Sequence, residues 1–362
     1  MRVLPQTVSV AALTDWAERG FTPVLTIIRK VRAMRRCFAI FLILFFLLPS
    51  AVFSQSKALK KIRVGVSAIS MGNIIIYVTK EAKLYEKYGL DAEVIAVLGS
   101  GISSKAMIGG SLDVAAIATP TVINAGLAGS DMVILAHTMP GVIHALMVKP
   151  EIKRIEDLKG KKIGVSTFGS LTDFLVRHIA RKKGVNPEKD LSLIQVGGDN
   201  ERLVGLKQGS LDGASFSYPG YGREQRLGFS MLWDSSKEVE YPWMEITTRR
   251  SLIQRDRDLV MSYMKAHLEG IALFKKDKEF GKKVIKKALR LDDEELINES
   301  YEIFSKGFLP APYPNTKGMK TSFEYVALTR PDVWKHKAEE FADASFVEEL
   351  EKSGFIKKLY EK

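Results

Sequence analysis

The stretch Leu158-Lys159-Gly160-Lys161-Lys162-Ile163-Gly164-Val165-Ser166-Thr167-Phe168-Gly169-Ser170 carries a lysine-rich approach, a short apolar strand and a hydroxyl-rich exit turn. From Leu171 to Lys183 the apolar residues Leu171, Phe174, Leu175 and Ile179 fall at helical spacing, and Gly184 is a natural stop. A strand that feeds hydroxyls and glycines into a helix start exposes unpartnered backbone N–H groups at the positive end of the helix dipole. The turn therefore suits an anion or a polar group; plain N-capping by Ser170 or Thr172 is the simpler alternative.

A second copy of this unit lies upstream. Val64-Gly65-Val66-Ser67 matches Ile163-Gly164-Val165-Ser166 at a displacement of 99 residues. Gly110-Ser111-Leu112-Asp113-Val114-Ala115 matches Gly209-Ser210-Leu211-Asp212-Gly213-Ala214 at the same displacement, Gly99 falls on Gly198, and Pro120 falls on Pro219. Landmarks that keep one offset without a gap mark two similar α/β units in tandem, which decides the architecture first.

Read outward from the repeat, the first unit predicts strands over 62–66, 91–97 and 113–117, with helices over 73–88, 103–108 and 122–127. This β-α-β-α-β order makes a parallel sheet with right-handed crossovers. Further strands are expected over 133–136 and 143–148, with a crossing to the second unit between 148 and 157. That unit repeats strand 162–165, helix 171–183, strand 192–196, helix 201–207 and strand 212–216. Segments 231–233 and 241–248 carry the chain back. Helices follow over 258–275, 280–289, 294–305, 332–341 and 346–353, and their apolar faces are expected to pack on the first lobe. The resulting division is 1–56 leader, 57–150 first part of lobe 1, 151–242 lobe 2, and 243–362 the return to lobe 1 with a helical C-terminal segment.

The leader has the pattern of a secretory signal: Met34-Arg35-Arg36, an apolar run from Phe38 to Leu48, and small residues up to an expected cleavage point after Ser54. The apolar run is shorter than the roughly 20 residues of a spanning helix. Residues 1–33 read as an upstream extension with Met34 as initiator, and an uncleaved anchor is the alternative. Cys37, the single cysteine of the 362 residues, precedes the apolar run. Lipid attachment, disulfides, thiolate metal sites and a cysteine nucleophile are thus not expected in the exported part. Of the net charge of +12, the leader holds seven Lys/Arg against two Asp/Glu; the lysines of the remainder are scattered among glutamates, with no basic stripe carrying aromatics, which argues against nucleic-acid binding.

No catalytic set emerges. The five histidines, His137, His144, His178, His267 and His336, lack metal-ligand spacing and carboxylate partners. Gly99-Ser100-Gly101 lacks the rest of a dinucleotide fingerprint, and neither cofactor nor metal is expected. Asp113 and Asp212, each after Gly-Ser-Leu, read as turn or cap residues. Ligands of open α/β units sit at the carboxyl ends of the strands. Those ends carry hydroxyls, amides and glycines, with Asp199 and Arg202 as the nearby charges and Phe168, Tyr218, Tyr241 and Trp243 as aromatics that could stack on a guest.

The segments K-I-R-V-G-V-S, G-S-L-D-V-A, I-E-D-L-K-G-K-K-I-G-V-S and G-S-L-D-G-A resemble the periplasmic substrate-binding proteins of ABC transporters, in particular the group of alkanesulfonate, taurine and thiamine-pyrimidine-precursor binders. The resemblance covers roughly 60 to 330. It implies the α/β, two-lobed type II periplasmic binding protein fold with a hinge, a periplasmic monomer, and delivery of a small polar or anionic organic molecule (sulfonate, carboxylate or pyrimidine-like) to a membrane permease with a separate cytoplasmic ATPase. Carried over by position, the ligand contacts would be Ser67, Ala68, Ser70, Ser100, Gly101, Thr119, Ser166, Thr167, Ser170, Ser217 and Tyr218. An enzyme of the same fold, similar to the pyrimidine-precursor synthase of thiamine biosynthesis, and a ligand-sensing receptor component are the competing expectations. The export signal and the thiol-free mature chain weigh against the enzyme.

Overall fold

The computed structural model describes residues 58–361 apart from 140 and 238–242. The leader, its cleavage point and Cys37 lie outside the described residues. The first lobe runs through β1 (Lys60–Val66), α1 (Ile74–Glu81), α2 (Leu84–Lys87), β2 (Leu90–Ala96), α3 (Ser100–Ile108), β3 (Val114–Ile117), α4 (Thr119–Leu127) and β4 (Met132–Met139). The second comprises β5 (His144–Val148), β6 (Lys162–Val165), α5 (Leu171–Lys182), β7 (Ser192–Gln195), α6 (Asp199–Lys207), β8 (Gly213–Ser217), α7 (Gly220–Arg226) and β9 (Ser230–Asp234). The chain returns on β10 (Trp243–Arg249) and ends in α8 (Arg250–Arg255), α9 (Arg257–Lys276), α10 (Lys278–Leu289), α11 (Glu294–Gly307), α12 (Met319–Ala327), α13 (Ser345–Lys352) and α14 (Phe355–Tyr360).

The repeat becomes two five-stranded sheets, ordered β2-β1-β3-β10-β4 and β7-β6-β8-β5-β9. In each, three parallel strands of the repeated unit meet an antiparallel strand next to a crossing, β10 in one sheet and β5 in the other. The paired motifs explain each other. A Cβ on Gly65 would stand 2.5 Å from Leu112 Cδ1, and one on Gly164 would stand 2.6 Å from Leu211 Cδ1. The glycine of V-G-V-S and I-G-V-S thus makes room for the leucine of Gly-Ser-Leu-Asp. The next residue of that motif closes the same junction. Asp113 accepts from the Arg63 backbone N–H at 2.9 Å, and Asp212 accepts from that of Lys162 at 2.9 Å. Burial opposes ionisation of Asp212, but the Lys149 ammonium and the Lys162 N–H outweigh it and hold the carboxyl below its ordinary value.

Several expected boundaries moved. Strand β5 pairs with β8 and β9, so the crossing lies ahead of His144, not between 148 and 157. Ser235 ties the two crossings together: its hydroxyl accepts from the His144 N–H at 3.0 Å and is donated towards the Val142 and His144 carbonyls. The helix expected over 73–88 breaks at Lys83, which adopts left-handed backbone (φ 54°) between α1 and α2. The helix expected over 332–341 is two 3₁₀ turns, Pro331–Lys335 and Ala338–Phe341, which place Val333 and Phe341 in one apolar cluster with Phe323. Helices α7, α8, α12 and α14 had no clear signal in the sequence. The tail packs on lobe 1 through α9, α10 and α12, but it also reaches lobe 2. Arg226 of α7 binds Glu295 at 3.0 Å and also pairs with Asp293, while Tyr218 donates to Glu299 of α11.

Either Gly65→Ala or Gly164→Ala drives a methyl into a leucine side chain. Each is expected to cost about 1–3 kcal/mol by overpacking, measured as a lower urea midpoint at unchanged m-value; wild-type stability would show that the junction is slack. A second expectation concerns acid. Burial pushes the His267 imidazole down to about 3, and burial followed by the Arg202 charge does the same to His144. The unfolded chain protonates such groups from about pH 6.5 downward. Between pH 6.5 and 3 it binds more protons than the folded state, so stability falls as pH drops through that window. His267→Leu is expected to flatten the slope of unfolding free energy against pH by up to about 1.4 kcal/mol per unit. A slope unchanged between pH 4 and 6 would clear His267 of the effect.

Candidate functional site

The carboxyl ends of both sheets face one cavity of about 300 Å³, at the small end of the range of small-molecule pockets. Lobe 1 supplies Ser67, Ala68, Ile69 and Ser70 after β1, Leu98 to Ser100 after β2, and Met244 from β10. Lobe 2 supplies Ser166 after β6, the start of α5, Gly197 to Arg202 after β7, and Ser217 after β8. A third wall, Ala288 to Leu291, comes from the end of α10 and the turn that follows it.

Of the residues expected from the sequence, Ser67, Ala68, Ser70, Ser100, Ser166, Ser170 and Ser217 line this cavity. Gly101, Thr119, Thr167 and Tyr218 are placed elsewhere. Thr119 is buried and donates to Glu245 Oε1 at 3.1 Å. Tyr218 turns away to Glu299. Thr167 and Gly101 belong to the seam between the lobes: Thr167 Cγ2 lies 2.4 Å from where a Cβ on Gly99 would stand, and the Phe168 carbonyl oxygen lies 3.9 Å from where a Cβ on Gly101 would stand. Gly99 also adopts φ +97°, so glycine there answers both the backbone and the approach of the other lobe. Tyr241 lies outside the described residues, as does the Trp243 side chain. Phe168 is exposed.

The turn after β6 is a hydroxyl nest. Ser166, Ser170 and Thr172 form a triangle with Oγ–Oγ distances of 2.8, 3.0 and 3.0 Å. The Ser166 N–H donates to Thr172 at 2.8 Å, and Ser170 caps α5 through the Asp173 N–H at 3.4 Å. Across the cavity α3 begins at Ser100, whose hydroxyl accepts from the Ala118 N–H at 3.2 Å. Two helix starts from opposite lobes thus look into one space. The start of α6 is different: Asp199 and Glu201 occupy its first turn, and Glu201 Oε2 folds back to within 2.7 Å of where a Cβ on Gly198 would stand.

The charges of lobe 2 are largely spent internally. Arg202 is fully buried. Its Nε donates to the Ser215 carbonyl at 3.0 Å, and its other nitrogens bind the Gly197 carbonyl and Asp199. Asp199 in turn accepts from Ser217 at 3.1 Å. Arg223 pairs with Glu224 at 2.8 Å and reaches Asn200 at 3.2 Å. Burial raises the Glu224 carboxyl to about 7, with Arg223 opposing and Asp199 adding. Arg223, His144, Met244 and the wall from 288 to 291 were not expected at the site. The charge cluster had a partial signal in Asp199 and Arg202 beside the helix start.

A family model described as NMT1/THI5 like matches residues 71–279, more than half of the 362-residue chain. The chain belongs to the NMT1/THI5-like family. A relative from Brucella abortus (strain 2308), described as a binding protein, is 29% identical over 186 residues, 51% of this chain and 56% of its own length. The chain therefore matches a little over half of that relative. Among solved structures, a protein of Bordetella bronchiseptica RB50 superposes with a TM-score of 0.72 at 21% identity, covering 82% of this chain and 98% of its own. The alkanesulfonate-binding protein SsuA from Xanthomonas axonopodis pv. citri, bound to MOPS, gives 0.66 at 16% identity, covering 80% and 99%. This family member thus shares the two-lobed fold of periplasmic binding proteins.

Its lobes are latched on the side of α5. Tyr325 of α12 donates to Asp173 of α5 at 2.8 Å, and its ring meets Phe174 edge-on at 4.8 Å. Thr121 donates to the Gly169 carbonyl at 3.0 Å. Burial and then the Asp173 charge push the Tyr325 hydroxyl far up, so it donates at any physiological pH. Tyr325→Phe leaves Asp173 its bonds to Arg177 and the Gly169 N–H and removes one hydrogen bond to a charged group, worth about 1.5–3 kcal/mol. The variant is expected to populate a more open form, read as a larger radius of gyration in small-angle X-ray scattering without ligand. An unchanged radius would show that the bond does not hold the lobes.

Proposed function

We propose that this chain is the extracytoplasmic solute-binding component of an ABC importer, a monomer that captures a small polar or anionic organic molecule between its lobes and hands it to a membrane permease driven by a separate ATPase. The observation that carries the reading is the pair of helix starts, α3 and α5, facing each other from opposite lobes across the 300 Å³ cavity. A ligand that touches both lobes favours the closed state, and hinge closure is the motion that two adjacent crossings allow. Family membership, the Brucella relative described as a binding protein and the sulfonate-binding fold neighbour support the same reading. Binding without turnover is supported by the lining. The hydroxyls of Ser166, Ser170 and Thr172 are hydrogen-bonded to one another, Ser217 donates to Asp199, and the Asp199 carboxylate is paired with Arg202.

The test is a thermal-shift screen of the protein against sulfonates, carboxylates and pyrimidines. Saturation at a hundred times the dissociation constant adds about 2.7 kcal/mol, a rise of several degrees in Tm. Turnover of any compound would replace this reading with the enzyme. Ser166→Ala opens the hydroxyl triangle without removing the α5 cap. It is expected to weaken binding of an active compound about tenfold or more, the equivalent of 1.5–3 kcal/mol for a bond to a charged group. Unchanged affinity would take the turn after β6 out of the site.

A further inference from the structure

Among the described residues, two charged side chains that line the cavity make no ion pair, Glu201 and Arg290. Arg202 is consumed by Ser215, Gly197 and Asp199, and Arg223 by Glu224 and Asn200. His144 is held neutral by burial and the Arg202 charge. Glu201 lies over the start of its own helix. Arg290, in the turn after α10, lines the cavity, is exposed, and makes no ion pair or side-chain hydrogen bond among the described residues.

Its backbone is unusual as well. Arg290 sits at φ 51°, ψ 49°, the left-handed position at the end of α10, where the Leu291 N–H closes back on the Lys286 carbonyl at 3.1 Å. Glycine is the residue of least strain at such a C-terminal position. An arginine there keeps local strain of the kind that collects at ligand clamps. Leu289 and Leu291 flank the arginine in the chain, and Ile69, Leu98 and Met244 add apolar surface to the same cavity.

We propose that Arg290 is the charge-selecting residue of the cleft, and that the cargo is an organic acid, a carboxylate or sulfonate, with an apolar body. This rests on the solute-binding reading above. The acid group meets the Arg290 guanidinium together with the hydroxyls and N–H groups at the helix starts, which suit an anion. The apolar body lies on the leucines and Met244. Because Arg290 belongs to the tail while the hydroxyl nest belongs to lobe 2, an acid bridging the two also favours closure.

The test uses matched acids and amides: 4-toluenesulfonate against 4-toluenesulfonamide, phenylacetate against phenylacetamide, and hexanesulfonate against hexanamide, each by thermal shift and calorimetry. The variants are Arg290→Gly, Arg290→Gln and, as a charge control on an exposed face of the same helix, Lys283→Gln. Wild type and Lys283→Gln are expected to respond to acids and not to amides. Both Arg290 variants are expected to lose at least about tenfold in acid affinity, the loss of one charge-assisted bond. Arg290→Gly is also expected to raise the Tm of the unliganded protein by about 2 °C as strain is relieved, which separates lost binding from lost folding. Equal response to amides overturns the charge selection. Wild-type acid affinity in Arg290→Gly overturns the role of Arg290. Silence of wild type towards every acid and amide overturns the organic-acid cargo, and silence towards the pyrimidines of the screen as well overturns the solute-binding reading itself.

Discussion

The contact between a strand glycine and the leucine that precedes the next strand fixes this architecture. At Gly65 and Leu112, and again at Gly164 and Leu211, any Cβ would overlap a leucine methyl. The leucine is held there because the following aspartate binds the backbone N–H two residues before the glycine, Arg63 in one lobe and Lys162 in the other. A register slip of one residue would turn the glycine outward and place a branched side chain against the leucine. Strands β1 and β6 therefore hold equivalent places, each second in its sheet. Their exits, Ser67 and Ser166, arrive at equivalent points on either side of the cavity. The binding geometry is thus set in the core, well away from the atoms that would touch a ligand.

That dependence explains what could be read without coordinates. The 99-residue displacement already contained the glycine, the leucine and the aspartate, so the two sheets and most cleft serines followed from it. What escaped was set by single-residue geometry or by parts outside the repeat. Thr167 neighbours a cavity residue in sequence, yet the turn sends it across the seam to Gly99. Thr119 stands at a strand end but satisfies Glu245 instead of the cavity. The third wall, with Arg290, comes from a helix whose lysines read as an ordinary solvated face. Nothing in the pattern distinguishes an arginine in left-handed backbone from its helical neighbours. The strand over 143–148 was placed in the wrong lobe because periodicity identifies a strand but not the sheet it joins.

The fate of Arg202 bears on how the cleft handles charge. A buried guanidinium beside a hydroxyl nest invites the idea of an anion anchor. Its three donor groups are nevertheless directed to two carbonyls and a carboxylate of its own lobe. A buried arginine left without such partners would carry a large desolvation penalty. Its use as a strut that joins α6 to β8 follows from that cost. Pairing Asp199 with Arg202 leaves lobe 2 nearly neutral at the cavity, so hydroxyl and N–H dipoles and whatever cation the tail presents would set ligand preference. Dipoles and hydroxyls tolerate varied guests; a lone guanidinium on an otherwise apolar wall discriminates by charge.

Closure has the same division of labour. The lobes meet through the bond from Tyr325 to Asp173, the bond from Thr121 to Gly169, and the packing of Thr167 on Gly99. A binding protein whose closed state is rarely populated loses apparent affinity in proportion to that rarity. Seam contacts that raise the closed population strengthen capture, but they leave a smaller difference between empty and loaded forms. On the side of α5 the described seam is modest in this respect: two hydrogen bonds, one aromatic edge contact and the approach of Thr167 to Gly99, which itself lines the cavity. Contacts of that size can bias the hinge while a ligand bridging α3, α5 and the tail still shifts the balance. The cavity and this seam are therefore separable by mutation, because the side chains of Tyr325, Asp173, Thr121 and Thr167 do not line the cavity.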